Sequence, residues 1–231
     1  MRNILIIKCG ETYPDLQDQH GDFEQWIISQ SNLPENVFRV VNVATGEIPR
    51  HPSEYIAAII SGSHANVNQR MEWIKQLKDW IITARYSNIP VLGICFGHQI
   101  IATALGGIVK PNPAGIDIGI ENILLTAEGK KDELFKHTGN SFESYKFHSF
   151  SVKELPSGAV LLATSENSKV EAFRIDKIYG IQFHADFSAA VMRNYLENSK
   201  VKGTNKIRVR LKSSFKNQSI ISNFLDEVLK F

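Results

Sequence analysis

The chain has 231 residues, 43% of them hydrophobic, and carries 26 basic against 24 acidic side chains. That is enough apolar material for one sizeable core, and too balanced a charge to point to a polyanionic partner. No apolar run approaches the roughly 18 residues of a membrane-spanning helix, and two cysteines, Cys9 and Cys95, do not make a disulfide framework.

Met1-Arg2-Asn3 leads directly into an apolar run without the architecture of a signal peptide, so the expected location is the reducing cytoplasm. Asn3 to Lys8 is rich in isoleucine and ends in the turn signal Cys9-Gly10-Glu11, which predicts a buried first strand. Gly21 to Ile28 has an acidic start and an apolar face suited to a first helix. Val37 to Val43 reads as a second strand, and Tyr55 to Ile60 as a third that ends in Ser61-Gly62-Ser63. Between Arg70 and Arg85, Trp73, Ile74, Leu77, Trp80, Ile81 and Ala84 recur at helical spacing. Ile89 to Ile94 is then the fourth strand. This alternation of strand and helix predicts a parallel sheet covered on both faces. No linker divides the chain, which reads as a single domain over 1–231.

After Gly107 the texture changes to short β-rich segments: Asn122 to Thr126, Ala159 to Thr164, Val170 to Arg174 and Ile178 to Phe183. They predict an antiparallel extension and a return to the main sheet. Phe187 to Asn198 and Ile220 to Phe231 read as helices. Between these two helices, segment 200–216 holds seven basic residues and no acidic one, which leaves 19 basic against 24 acidic residues elsewhere. Ile207, Val209 and Leu211 alternate there with Arg208, Arg210 and Lys212, as in a charged edge strand. A docking patch for an acidic protein is the competing reading. Nucleic acid has the least support, because apart from Phe215 no aromatics are interleaved for stacking.

The chemistry concentrates at Gly93-Ile94-Cys95-Phe96-Gly97, a G-x-nucleophile-x-G stretch between an apolar strand and a helix. Such an elbow lifts the Cys95 sulfur to the sheet end and sets it at a helix N-terminus, where the dipole favours the thiolate. Cys9 reads as a structural residue. A cysteine nucleophile needs a base, and His184 is the best placed of seven histidines because it follows the strand Ile178 to Phe183. Asp186, two residues on, is close enough to orient the imidazole. The oxyanion formed in acyl transfer needs two backbone donors, expected from Phe96 and from Gly62 or its neighbour. His64 reads as a rim residue of the same loop. In the first turn of the elbow helix, Gln99 is suited to bind an amide or carboxylate, while His98 buttresses the loop. Neither a His-x-x-x-His nor a Cys-x-x-Cys spacing occurs, so no metal site is expected.

Gly-Ile-Cys-Phe-Gly-His-Gln followed by Ala-Leu-Gly-Gly, with Gly180-Ile181-Gln182-Phe183-His184 later in the chain, resembles the class I glutamine amidotransferases, whose catalytic triad is Cys-His-Glu. Supporting stretches are Gly21-Asp22-Phe23-Glu24, Ser61-Gly62-Ser63 and His148-Ser149, so the resemblance covers roughly residues 3 to 190. It is nearest to stand-alone proteins similar to the amidotransferase domain of GMP synthase. It implies a flavodoxin-like three-layer α/β fold with a central mostly parallel sheet, helices on both faces and a small antiparallel β extension. By position it implies Cys95 as nucleophile, His184 as base, and Gly62 and Phe96 as oxyanion donors. Gln99 and the backbone of His148, Ser149 and Phe150 would contact glutamine. No cofactor is implied, and product ammonia would pass to a separate synthetase. The chain departs from the family where His-Pro-Glu is usual: it reads His184-Ala185-Asp186, with a shorter acid and no proline.

Three readings follow: a glutamine-hydrolysing amidotransferase, a γ-glutamyl peptidase that shares the elbow and needs no partner, and a non-catalytic regulatory protein of the same fold.

Overall fold

The computed structural model describes residues 2–198, 211 and 219–230, so the predicted basic strand within 200–216 lies almost wholly outside the described residues. The chain begins with β1 (Ile4–Lys8), α1 (Pro14–His20), α2 (Phe23–Ser29), β2 (Phe38–Asn42), β3 (Ala57–Ile60), α3 (Glu72–Tyr86), β4 (Val91–Ile94) and α4 (Phe96–Ala104). There follow β5 (Ile108–Pro111), β6 (Asp117–Leu125), β7 (Ser141–His148), β8 (Phe150–Glu154), β9 (Val160–Thr164), β10 (Ala172–Ile175) and β11 (Ile178–Ile181). Two helices close the series, α5 (Ala189–Asn198) and α6 (Ile220–Leu229).

Nine strands form one sheet in the order β2-β1-β3-β4-β11-β10-β9-β6-β7, and β5 pairs with β8 in a small second sheet. From β2 to β11 all neighbours run parallel. From β11 onward they are antiparallel. The sheet also curls back on itself, because Tyr145 of β7 forms an antiparallel bridge with His184, three residues beyond β11.

The period of two along the parallel strands divides the core. Leu5, Ile7, Ala58, Ile60 and Val91 face α3 and α4, whose Ile74, Leu77, Ile81, Ile100 and Ile101 complete that layer. Ile4, Ile6, Ala57, Ile59, Leu92 and Ile94 face the other way, toward Ile27 of α2 and Ile220, Ile221, Phe224 and Leu225 of α6. Both faces are covered, as all-parallel strands require. Near the carboxyl ends of these strands, a third cluster gathers Leu16, Phe23, Trp26, Tyr145, Phe187, Met192 and Tyr195 from α1, α2, β7, α5 and the segment before α5. Among the described residues, no helix is long and apolar enough to cross a membrane.

Several expectations are refined. The strand expected at Asn122 to Thr126 begins at Asp117, while β5, β7, β8 and α1 were not expected at all. β11 stops at Ile181, so His184 lies beyond the strand end and is held instead by its bridge to Tyr145.

Candidate active site

Cys95 is the N-cap of α4 and adopts φ 54°, ψ −99°, a left-handed backbone that a residue with a side chain enters only under strain. Its flanking glycines are sterically required. A Cβ on Gly93 would lie 2.4 Å from the Gly97 backbone, and one on Gly97 would lie 2.4 Å from the Ile60 carbonyl oxygen. The elbow is tied to β11 by the Cys95 N–H, which donates to Ile181 O at 2.8 Å. Phe96 is the first helical residue, so its N–H has no intrahelical acceptor. The Cys95 thiol lies 3.8 Å from the carbonyl oxygen of Phe147, and the residue is buried.

His184 and Asp186 are buried beside it, with Nδ1 of the ring 3.0 Å from Oδ1 of the carboxylate. The shorter acid therefore does reach. The other carboxylate oxygen, Oδ2, has no hydrogen-bond partner among the described residues. With Nδ1 engaged, Nε2 is the nitrogen left for Cys95. Burial works against the imidazolium, but the negative charges and hydrogen bonds offered by Cys95 and Asp186 outweigh it and raise the His184 pKa to about 10. Phe187 stacks on the imidazole with centroids 3.7 Å apart, so the ring is fixed on its face as well as at its edge.

Gly62 sits in the loop after β3, and a Cβ there would come within 3.1 Å of the Phe23 ring and 3.4 Å of His184 Cε1. The loop is anchored to the end of β1: Cys9 N–H donates to Ser61 Oγ at 3.0 Å, and Ser63 Oγ donates to Cys9 O at 2.6 Å. Cys9 itself is buried, and burial raises its thiol pKa strongly. His64 in the same loop is exposed at the cavity rim, with Nε2 3.2 Å from the Tyr195 hydroxyl.

On the opposite side runs the strap from Tyr145 to Ser151. Gln99 Nε2 donates to Phe150 O at 2.8 Å and to Gln182 Oε1 at 3.0 Å. Both amide hydrogens are thus spent inside the protein, and what Gln99 can offer a ligand is its carbonyl oxygen. Asn112 holds the neighbouring residues, since its side chain donates to His148 O and its N–H donates to Ser149 O. His148 is buried, and burial, reinforced by the charge of Lys146, keeps its pKa well below the ordinary value. His98 lies against the Phe173 ring at 5.0 Å. Burial lowers its pKa to about 3, as befits a neutral supporting residue.

The elbow, His184 and the strap enclose a cavity of about 640 Å³ lined in part by Cys95, Phe96, Gln99, His148, Ser149, Phe150 and His184. All the residues expected from sequence at a common site converge here, with Asp186 behind His184 and Gly62 beside it. Sequence reasoning missed Tyr13, Tyr195 and Phe147, which also line the cavity, and Phe187, three residues after the histidine. It also missed the buried cluster behind the strap: Lys146 Nζ lies 2.6 Å from Asp117 and 2.8 Å from Glu171. The signal available was a lysine between Tyr145 and Phe147, facing Gly119 of β6. Among the described residues, no group of three His, Cys, Asp or Glu side chains could hold a metal ion.

The sequence profile described as glutamine amidotransferase class-I matches residues 16–202. Gamma-glutamyl peptidase 4 of Arabidopsis thaliana is 34% identical over 165 residues, covering 69% of this chain and 64% of that protein. A subunit of the glutamine-hydrolyzing GMP synthase of Methanocaldococcus jannaschii is 34% identical over 131 residues, covering 53% of this chain and 66% of that protein. The chain spans between 61% and 66% of the length of these and similar curated relatives. A crystal structure of a glutamine amidotransferase from Thermotoga maritima shares the fold, with a TM-score of 0.76 over 100% of this chain and 99% of that one at 19% identity. A cysteine elbow on a mostly parallel sheet, a buried histidine–carboxylate pair opposite it and a profile match over most of the chain agree, and the protein belongs to the class I glutamine amidotransferase family.

Proposed function

We propose that the protein hydrolyses the amide of a γ-glutamyl group, L-glutamine being the simplest such substrate, through a thioester on Cys95. The observation that carries this reading is the sulfur held at a strained elbow beside a buried imidazole, whose far nitrogen is 3.0 Å from a carboxylate. The Cys95 thiolate attacks the amide carbon, and the carbonyl electron pair moves onto oxygen, where the N–H groups of Phe96 and Gly62 receive it. Collapse of this adduct breaks the C–N bond, while the imidazolium of His184 protonates the departing nitrogen. Water then attacks the thioester after giving a proton to His184, and the C–S bond breaks to release the γ-carboxylate and restore Cys95. Asp186 acts by holding the ring and stabilising its cation. Gln99 and the backbone of His148, Ser149 and Phe150 take the glutamyl portion. When glutamine is the substrate, ammonia leaves for a separate synthetase, as the similarity to a GMP synthase component suggests.

A second reading, γ-glutamyl peptidase action, is favoured by the cavity itself: about 640 Å³ is more than one glutamine side chain fills. The similarity to gamma-glutamyl peptidase 4 runs in the same direction. Amine release from free glutamine and from γ-glutamyl dipeptides, measured side by side, tests both. Turnover of either substrate that disappears in Cys95→Ala supports thioester chemistry. No turnover of either, with no acyl group on Cys95 by mass spectrometry, would leave a binding protein of this fold.

A further inference from the structure

In the cycle above, His184 gives its proton to the nitrogen that departs, so the departing group lies on the His184 side of the scissile bond. On that side the protein presents a run of rings. Phe187 is stacked on His184, Tyr195 lies 4.9 Å from Phe187 and 4.8 Å from Phe147, and Tyr13 lies 5.2 Å from Tyr195 and 4.8 Å from His64. Tyr13, His64, Phe147 and Tyr195 line the same cavity as Cys95. Tyr195 is locked in place, with its hydroxyl 3.0 Å from Thr12 Oγ1 and 3.2 Å from His64 Nε2. Tyr195 and Phe187 are buried behind this front, and the half-buried rings of Tyr13 and Phe147, which Tyr195 holds edge-on, form a wall on which another ring can stack.

The charge inventory agrees. Among the described residues that line the cavity there is no Lys, Arg, Asp or Glu. His64 stands at the rim, and the partial desolvation of its ring among these neighbours lowers its pKa and disfavours the cation. Among the described residues the one cation on this side is the His184 imidazolium, already engaged by Asp186 and Cys95. A carboxylate on the departing group would therefore lose its hydration without gaining a counter-ion of its own, whereas an uncharged aryl group loses only apolar contact with water.

We propose that this aromatic wall is the leaving-group subsite and that the preferred substrates are γ-glutamyl amides of uncharged, aryl-bearing primary amines. The inference rests on the γ-glutamyl hydrolase reading and names its substrate class. Atoms balance as in ordinary amide hydrolysis: the C–N bond breaks, the amine nitrogen takes the proton from His184, and water supplies the oxygen of the new γ-carboxylate. Tyr13, Phe147 and Tyr195 take no part in that exchange. They hold the amine half so that its nitrogen stays within reach of His184.

The test compares kcat/KM of the purified protein on γ-glutamyl 2-phenylethylamide and γ-glutamyl ethylamide, whose leaving amines are of similar basicity, with γ-glutamylglutamate as the anionic case. The expected preference for the phenylethylamide over the ethylamide is roughly 10- to 100-fold, the size of a hydrophobic pocket's discrimination. In Tyr13→Ala the same ratio should fall at least several-fold. Because it is internal to each variant, a general loss of active protein cancels. Tyr195→Phe keeps the ring and should keep the ratio. Equal rates on the two amides, or a faster rate on γ-glutamylglutamate, would overturn the aryl subsite while Cys95-dependent hydrolysis stood. Failure to release amine from any of the three would overturn the inference and the hydrolase reading together.

Discussion

At Cys95 and Cys9 the same side chain has two fates. Cys9 is buried against Ser61, and burial raises its thiol pKa, so it should resist electrophiles in the folded protein. Cys95 sits at a helix N-terminus beside an imidazole and opens into the cavity. An electrophilic glutamine analogue should therefore label Cys95 alone, as peptide mapping would show; labelling confined to Cys9 would remove the nucleophile assignment. Asp186 makes a sharper case. Its Oδ1 already reaches His184 Nδ1 at 3.0 Å, so Asp186→Glu should bring no gain: an extra methylene must fit where the residue is fully buried. Asp186→Asn keeps the shape and removes the charge, and kcat should fall on the order of 10²-fold, less than in Cys95→Ala. Because the imidazolium is needed to protonate the departing nitrogen, turnover should decline as pH rises through about 10, where His184 loses its proton. That alkaline limb should move to lower pH in Asp186→Asn, since one of the charges that raise the pKa is gone. Stability follows the same sign. A folded-state pKa raised above the ordinary 6.5 contributes stability that is complete below about 6.5 and is lost as pH climbs toward 10.

Elements place these residues, and they were legible to different degrees. The elbow could be read because glycine is the one residue that fits 2.4 Å from a backbone atom, and two such glycines bracket Cys95. A Gly97→Ala variant should lose about 1–3 kcal/mol of stability, seen as a lower urea midpoint, because the new methyl meets Ile60 O. Helix α3 was equally plain, since Ile74, Leu77, Trp80, Ile81 and Ala84 are its buried residues and recur at helical spacing. β7 was not. Its sequence Ser-Phe-Glu-Ser-Tyr-Lys-Phe-His mixes polar and apolar side chains without clean alternation, because both of its faces are largely covered. Lys146 is paired with Asp117 of β6 and with Glu171, whose carbonyl accepts the Gln182 N–H. The pairing pins the strap that carries Tyr145 and Phe147 to the segment that carries His184. Lys146→Met leaves the buried Glu171 and the partly buried Asp117 without their cation and should cost about 3–5 kcal/mol. Removing the charges together, as Lys146→Met with Glu171→Gln and Asp117→Asn, should recover part of that loss in the same denaturation experiment.

For the molecule as a whole, the arrangement of strands predicts how it comes apart. The site draws on both halves of the sheet, because Cys95 follows β4 of the parallel half while the Tyr145 and Phe147 carbonyls belong to β7 of the antiparallel half. Sequence texture marked that division near Gly107, where strand–helix alternation gives way to short strands, but it does not mark a boundary in the core. One core cluster joins Leu5, Ile60 and Val91 to Phe173, Ile175 and Val152, and the other joins Ile4, Ile59 and Ile94 to Ile123, Phe142 and Leu162. Each cluster therefore crosses from one half to the other, and neither half can lose its packing without exposing apolar surface of its neighbour. Unfolding should then be a single cooperative transition. In a urea titration, loss of amide hydrolysis, loss of helical circular dichroism and the onset of Cys9 alkylation should share one midpoint, although Cys9 lies in the parallel half and Tyr145 in the other. Hydrolysis that failed at clearly lower urea than the other two signals would mean that the antiparallel half melts separately, against the continuity of both clusters.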